Sequence, residues 1–350
     1  MGKISIHAQA ESWPLASPFV IARGSKTHAQ VVTVKLTEGA NIGWGECVPY
    51  ARYGESVESV LAQINSVRAQ FEDGMSRTEL HSCMPAGAAR NALDCALWDL
   101  EAKRAGKNVY ALLGKKMPVS VASVQTVSLG TPDVMRTEAT TFQRFPVIKI
   151  KLDAEDVLKR TEAVHLGAPN AKIIIDANES WSLALLNDVA PSLAALGVVM
   201  VEQPLKAGDD AELLAYRGPV PLGADESCHT SADLLRLKGL YQFVNIKLDK
   251  AGGLTEALAM QAKARDMEFG VMVGSMVATS LALIPAVLLA MDADYVDLDS
   301  SNLLAKDRPG ALTLQDGTLS GITGTLWGGG GRTDKIGDKV NGKVNGEKAQ

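Results

Sequence analysis

Five apolar runs decide the fold, and each ends on charged side chains: VIKIK (147–151), KIIIDAN (172–178), VVMVEQP (198–204), PLGADE (221–226) and NIKLD (245–249). Buried parallel strands have near-continuous Val/Ile runs of this kind. Amphipathic stretches such as EDVLKRTEAVHLG lie between the runs and have the pattern of helices. The region therefore predicts strands and helices in alternation.

Three further runs extend this alternation on both sides: VSVASVQTV (119–127), GVMVGSM (270–276) and YVDLDSS (295–301). Eight βα units in succession predict an α/β fold, a TIM-like (β/α)7–8 barrel. A doubly wound open sheet is the alternative, since periodicity does not separate the two. No G-x-G-x-x-G follows the first run, which removes the commonest reason to prefer the open sheet.

The chain outside the barrel has a different pattern. KISIHAQAE (3–11) and QVVTVKLTE (30–38) alternate like antiparallel strands, and helical patterns follow. ALTLQDGTLSGIT (311–323) is strand-like with a D-G turn, and we expect it to rejoin the N-terminal sheet. The predicted domains are an α+β capping domain (1–115), the barrel (116–305), a segment returning to the cap (306–330) and a disordered polar tail (333–350).

Composition narrows the classes of function. The 350 residues are 46% hydrophobic, which is ample for a large core. Their net charge of −5 argues against nucleic acid or an anionic membrane as the main partner. The four cysteines are far apart, so neither a zinc site nor a disulfide framework is indicated. The most apolar stretch, 277–291, contains Pro285 and is too short to span a bilayer, so it predicts a buried helix. With no signal-peptide pattern at the N-terminus, we expect a cytoplasmic protein.

The charged endings of the central runs predict a metal site. Lys151, Asp176, Glu202, Asp225 and Lys247 follow one another at intervals of 22 to 26 residues, one βα unit each. A barrel places all five at its C-terminal mouth, where barrel active sites lie. Three converging carboxylates repel one another unless a cation joins them. Hard oxygen ligands without His or Cys favour Mg²⁺, with Mn²⁺ as an alternative.

Two lysines flank this predicted triad and supply acid–base groups. Coordination of a substrate carboxylate to the metal would stabilise the enediolate formed when the α-proton leaves. Lys151 lies beside cationic Lys149, so we expect a lowered pKa that lets it act as a base. Lys247 would face the other side of the same carbon. A single charged strand end is usually structural, but five in this order predict 1,1-proton transfer, that is, racemisation or epimerisation.

The same segments resemble the enolase superfamily, muconate-lactonising subgroup. The matching signatures are KIK (149–151), DAN (176–178), EQP (202–204), ADES (224–227) and NIKLDKAGG (245–253), with GECVPYARYGES (45–56) and AGAARNALDCALWDL (86–100) in the cap. More narrowly, the chain resembles the subgroup's bacterial L-Ala-D/L-Glu dipeptide epimerases. The resemblance implies an isomerase that needs Mg²⁺, takes a small-molecule dipeptide and acts in murein peptide recycling.

Site roles follow from the resemblance. It implies Mg²⁺ ligands at Asp176, Glu202 and Asp225 and an acid–base pair at Lys151 and Lys247. Lys149 would contact the bound carboxylate, and Asp297 and Asp299 would pair with the α-ammonium group of the substrate. Arg23 is either a partner for a glutamate side chain or a surface arginine. The remaining candidate substrate-binding residues are Tyr53, Thr126, Ser275 and Met276.

Two departures from the family pattern and several alternatives stay open. The segment 274–280 lacks the acid that often follows strand seven, and Ser300 replaces the usual glycine after Asp-Leu-Asp. A cycloisomerase, an o-succinylbenzoate synthase or an N-acylamino acid racemase would use the same metal and lysines. A Schiff-base aldolase would leave the three acids unexplained. A non-catalytic barrel that only binds a ligand is a further alternative, although every side chain that catalysis needs is present. The sequence leaves open whether copies of the chain form a homo-oligomer.

Overall fold

The computed structural model describes residues 3–331, so the predicted tail at 333–350 lies outside the described residues. The chain begins with a three-stranded antiparallel sheet of β1 (Ser5–Ile21), β2 (Gly24–Glu38) and β3 (Asn41–Cys47). Gly45 of β3 is required by packing, because a Cβ there would lie 2.0 Å from the carbonyl oxygen of Ala92. The sheet therefore lies directly against the helix that carries Ala92.

Five helices complete the cap: α1 (Val57–Ser66), α2 (Arg68–Glu72), α3 (Arg77–Cys83), α4 (Ala88–Ala105) and α5 (Val109–Leu112). Ser56 and Ser76 begin α1 and α3 with capping boxes, and Gly106 ends α4 in the left-handed conformation. Most of α4 is buried, because the helix packs against the cap sheet on one side and against barrel elements on the other.

A short strand, β4 (Ser120–Ala122), precedes an eight-stranded parallel sheet. Its strands are β5 (Gln125–Val127), β6 (Val147–Lys151), β7 (Lys172–Asp176), β8 (Val198–Glu202), β9 (Leu222–Ala224), β10 (Phe243–Lys247), β11 (Gly270–Gly274) and β12 (Tyr295–Asp297), in that spatial order. The edge strands of this sheet are β5 and β12. They are joined by a hydrogen bond in which the N–H of Val124, just before β5, donates to the carbonyl of Val296 in β12 at 2.8 Å. The barrel prediction is confirmed, and the open sheet is excluded.

The connections between strands are mostly helical: α6 (Pro132–Thr141), α7 (Val157–Gly167), α8 (Leu183–Ala195), α9 (Leu234–Leu237), α10 (Leu248–Ala251), α11 (Leu254–Asp266), α12 (Ser280–Ala290) and α13 (Ser300–Leu303). Two 3₁₀ turns occur, at Ala51–Tyr53 and Asp210–Ala215. α12 is the buried helix predicted from the apolar stretch at 277–291. Within residues 3–331, none of the helices has both the length and the apolar character that crossing a bilayer requires.

The C-terminal hairpin differs from the prediction. β13 (Thr313–Gln315) and β14 (Thr318–Ser320) form around the expected D-G turn, but β14 pairs with β4 and not with the N-terminal sheet. The predicted pairing was wrong because β4 offers β14 a partner just before the first barrel strand. The segment still reaches the cap, since the indole N–H of Trp327 donates to the carbonyl of Cys95 at 3.0 Å. The domain boundaries themselves stay predictions.

Candidate active site

Strand register places the predicted residues at one level of the barrel. Lys151 lies opposite Asp176 on the neighbouring strand, and Asp176 lies opposite Glu202. Around the same ring, Lys247 is level with Gly274, which is level with Asp297. The C-terminal ends of the strands therefore bring both lysines and the acids to one mouth, as the spacing predicted.

Each predicted acid–base lysine forms an ion pair with a predicted metal ligand. Lys151 Nζ lies 2.5 Å from Asp176 Oδ2, and Lys247 Nζ lies 2.7 Å from Asp225 Oδ2. The same carboxylates can thus hold either a lysine ammonium group or a divalent cation. The two lysines come from β6 and β10, strands separated by the three that carry the acids, so they approach the mouth from different sides.

Lys149 lies beneath this layer and is fully buried. Its Nζ lies 2.6 Å from Glu202 Oε2, 2.8 Å from Asp297 Oδ2 and 3.1 Å from Asp176 Oδ2. Burial alone would lower the pKa of Lys149, but the three carboxylates outweigh it and raise the pKa well above its usual value. Lys149 therefore stays charged and links the triad to Asp297. Its direct contact with a bound carboxylate stays a prediction.

Sequence reasoning missed a second fully buried lysine, Lys250. Its Nζ donates to Asp225 Oδ1 at 2.5 Å, to the Asp225 carbonyl at 2.6 Å and to the Asn245 carbonyl at 2.9 Å. Asn245 Nδ2 in turn donates to Glu202 Oε1 at 2.7 Å. The signal was present, because the segment after β10 reads KLDK and a lysine in a buried turn needs a carboxylate partner.

The pKa values of the three acids shift in different directions according to these partners. Burial would raise the pKa of Asp225, but Lys247 and Lys250 hold it well below its usual range. Lys151 and Lys149 likewise outweigh burial and lower the pKa of Asp176. Burial and the nearby Asp176 instead raise the pKa of Glu202. For Lys247, Asp225 and Glu202 outweigh burial and raise the pKa.

The donor set suits a hard divalent cation. Asp176, Glu202 and Asp225 offer only carboxylate oxygens from adjacent strands, and Glu202 Oε2 accepts no hydrogen bond within the described residues although Lys149 Nζ is close. In residues 3–331 no three His, Cys, Asp or Glu side chains are arranged as a metal-binding group. Lysine ammonium groups contact the three carboxylates instead. The ligand roles of the three acids therefore stay a prediction that the chemistry of the oxygens supports.

A cavity of about 1000 Å³ lies between the barrel mouth and the cap. Ten of the thirteen predicted site residues line it: Arg23, Tyr53, Thr126, Lys151, Asp225, Lys247, Ser275, Met276, Asp297 and Asp299. The other three, Lys149, Asp176 and Glu202, are almost completely buried. The tertiary structure thus joins residues from the cap and from most of the barrel strands around one space.

Asp299 lies two residues after the end of β12, where a substrate ammonium group was predicted. Its Oδ2 accepts the N–H of Thr126 at 2.7 Å. Burial and the adjacent Asp297 raise the pKa of Asp299 to about 6. The carboxylates of Asp297 and Asp299 repel each other. A cation beside them would offset this repulsion, because an opposite charge stabilises the ionised form of each acid. Ser300, one of the two departures, donates to the carbonyl of Met276 at 3.2 Å on the cavity wall.

Two cap turns reach the barrel mouth. Arg23, from the turn between β1 and β2, lies 2.7 Å from Glu226 Oε1 and 3.1 Å from Glu179 Oε2. The ring of Tyr53, from the first 3₁₀ turn, packs against His229 with centroids 4.5 Å apart. Arg23 is therefore held at the mouth in an ion-pair network, with 26% of its side chain exposed, and its pairing with a glutamate side chain of a substrate stays a prediction. Glu226 and Glu179 were missed by sequence reasoning, although both follow predicted metal ligands closely.

Two family models cover most of the chain. Residues 3–114 match the mandelate racemase/muconate lactonizing enzyme N-terminal domain, and residues 134–324 match the enolase C-terminal domain-like family. The chain belongs to the enolase superfamily. This assignment confirms the resemblance read from the strand endings, and it agrees with a barrel whose charged residues meet at the C-terminal mouth.

Relatives within the enolase superfamily include several epimerases and racemases. The chain is 50% identical over 311 residues to an L-Ala-D/L-Glu epimerase of Escherichia coli, covering 88% of this chain and 97% of that protein. It is 44% identical over 308 residues to an N-acetyl-D-glutamate racemase of Pseudoalteromonas, covering 87% and 98%. Both names describe inversion at a glutamate, but the two substrates differ in the group on its nitrogen.

Solved structures of superfamily members agree in fold. An enolase family member from Agrobacterium tumefaciens with homology to dipeptide epimerases, with bound sodium and L-Ala-L-Glu, has a TM-score of 0.91 at 44% identity, covering 93% of this chain and 100% of that one. A dipeptide epimerase from Enterococcus faecalis complexed with Mg and L-Leu-L-Tyr has a TM-score of 0.85 at 27% identity, covering 91% and 97%.

Proposed function

We propose that this protein is a Mg²⁺-dependent dipeptide epimerase of the L-Ala-D/L-Glu type, with Mn²⁺ as an alternative metal. The observation that carries the proposal is the cavity itself, which has Lys151 and Lys247 on separate strands and the Asp297–Asp299 pair on its wall. Two proton carriers suit inversion at one carbon, and two carboxylates suit a free amino terminus. The relatives that bind or invert dipeptides support the same substrate class.

The metal proposal rests on the donor set. Asp176, Glu202 and Asp225 would hold the cation. A bound Mg²⁺ supplies positive charge beside the substrate carboxylate, which lowers the energy of the carbanion at the adjacent carbon. The carboxylates that would hold the metal are the ones paired with Lys151 and Lys247 in this structure. Separation of these ion pairs would free the amino groups of both lysines for proton transfer.

The lysines would move the proton. A neutral Lys151 takes the α-proton from one face of the carbon, and its amine becomes an ammonium group. Lys247, charged at that moment, donates a proton to the opposite face and becomes neutral. Exchange of one proton with solvent restores both residues, and the roles reverse for the other stereoisomer. The cap closes over the site and limits the access of water to the carbanion.

Exchange of the α-proton with solvent tests this proposal. With Mg²⁺ in D₂O, L-Ala-L-Glu should acquire deuterium at the α-carbon of its C-terminal residue. Lys151→Ala and Lys247→Ala should each abolish epimerisation, while exchange of one stereoisomer can survive in either variant. Absence of exchange across a panel of dipeptides would reject the epimerase, and full epimerisation by either variant would reject the two-base scheme.

A second candidate is an N-acylamino acid racemase, which the Pseudoalteromonas relative favours. An N-acyl substrate lacks the ammonium group, so it would bring no positive charge to Asp297 and Asp299 beyond that of Lys149, which already pairs with Asp297. Assays with L-Ala-L-Glu and N-acetyl-L-glutamate under the same conditions separate the two candidates. Murein peptide recycling, a cytoplasmic location and a homo-oligomeric state stay predictions.

A further inference from the structure

One buried carboxylate joins both cap turns to the barrel. Glu179 Oε1 accepts Arg52 Nη2 at 2.7 Å, and Oε2 accepts Arg52 Nε at 2.8 Å, which is a two-bond fork. Arg23 Nη1 donates to the same Oε2 at 3.1 Å. The N–H of Ala207, in the loop after β8, donates to Oε1 at 2.8 Å. Four donors from three chain segments therefore meet at one side chain.

The backbone at Glu179 is shaped to present this carboxylate. Asn178 has a φ of 44° and Glu179 a φ of 69°, in the left-handed region that residues other than glycine seldom adopt. Such residues persist where the surrounding structure holds them. Here the N–H of Glu179 donates to the carbonyl of Gln203 at 2.9 Å. The loop after β7 is thus fixed to the loop after β8.

The turn held by this fork carries a residue of the cavity wall. Arg52 precedes Tyr53, whose ring contacts His229 and also lies 5.2 Å from the ring of Tyr50. Tyr50, Arg52 and Tyr53 line the cavity, whereas Glu179 is not one of its lining residues. Glu179 therefore lies behind the cavity wall. It acts on the cavity through the cap turn that it holds.

We propose that Glu179 is a positioning residue that fastens the cap turn 50–54 to the barrel mouth and so sets the roof above the substrate. Arg23 keeps a second partner in Glu226, while Arg52 depends on Glu179 for both of its ion-pair bonds. Loss of the Glu179 charge should therefore release the turn 50–54 more than the turn at Arg23. The inference about substrate rests on the proposed function, but the fastening of the turn does not.

Hydrogen exchange of the full-length protein without substrate tests the fastening. The amides of Tyr53, Gly54 and Glu55 bond to carbonyls within the turn, so their exchange reports on its opening. In Glu179→Gln these amides should exchange about tenfold faster or more. The matched control is Glu101→Gln, which weakens a comparable Arg77–Glu101 fork that does not contact the turn 50–54 or line the cavity, and it should leave the turn unchanged.

Arg52→Met provides a second test, because Arg52 is partly exposed and its loss leaves Glu179 paired with Arg23. It should accelerate exchange in the same amides. In the epimerase assay, both variants should raise KM for L-Ala-L-Glu about tenfold with a smaller change in kcat. Unchanged exchange in Glu179→Gln and Arg52→Met, or equal acceleration in Glu101→Gln, would overturn the inference. If the wild type shows no epimerase activity, exchange alone still decides it.

Discussion

Lys250 offers a quantitative test of how the predicted metal site is held together. Lys250→Met keeps most of the aliphatic chain but removes an ammonium group that has no exposed surface and three acceptors within 2.9 Å. Asp225 then retains Lys247 but loses the partner of its Oδ1, and two buried carbonyls lose their donor. Removal of one partner from a buried ion pair costs about 3–5 kcal/mol. For a chain of this length that corresponds to a decrease of about 5 °C in Tm.

Thermal unfolding followed by circular dichroism measures this difference. The matched control is Lys159→Met, since Lys159 pairs with Asp156 on the surface and its side chain is 74% exposed. That variant should have the Tm of the wild type, because exposed ion pairs contribute little. Lys250→Met should also need more Mg²⁺ for half-maximal exchange, since Asp225 is less firmly oriented. A Tm for Lys250→Met equal to that of the control would refute the reasoning.

Two further predictions concern buried carboxyl groups. Burial raises the pKa of Asp249 to about 7, although Val48 N and Asn91 Nδ2 donate to it. The folded protein thus binds this proton more tightly than the unfolded chain, so the free energy of unfolding should fall by a few kcal/mol as pH rises from about 4 to about 7. Asp249→Asn should flatten that dependence in urea unfolding, and an unaltered slope would contradict it. Asp299→Asn keeps an acceptor for Thr126 N but removes the charge. Asp299→Asn should raise KM for L-Ala-L-Glu about tenfold, worth about 1.4 kcal/mol, with the Mg²⁺ requirement unchanged. An equal weakening of dipeptide binding and of Mg²⁺ binding would mean that Asp299 is structural.

Much of the active-site layer could be predicted because it depends on local periodicity. An apolar run that ends on Lys151 or Asp176 specifies both the strand and its charged end. The repeat of about 25 residues then specifies that successive ends lie side by side, since parallel strands of a barrel share one mouth. Register in the structure agrees, with Lys151 opposite Asp176 and Asp176 opposite Glu202.

The partners of these residues could not be predicted in the same way. The pairing of Arg52 with Glu179 joins residues 127 positions apart, and no periodicity relates a cap turn to a barrel loop. The C-terminal hairpin shows the same limit, because its alternation predicts strands but does not specify the edge that they join. The sequence does not distinguish Lys250 from a lysine exposed to solvent. Only the structure shows that Lys250 is buried and donates to Asp225.

The sequence by itself therefore determined the alternation of strands and helices, the order of the charged strand ends and the family, because these follow from short-range patterns repeated along the chain. The choice between a barrel and an open sheet needed the structure, in which Val124 and Val296 join the two edge strands. Only the tertiary structure decided which ammonium group meets which carboxylate and how the cap closes the cavity. Those contacts form between segments distant in sequence, and their charges acquire defined partners only when folding removes water from around them.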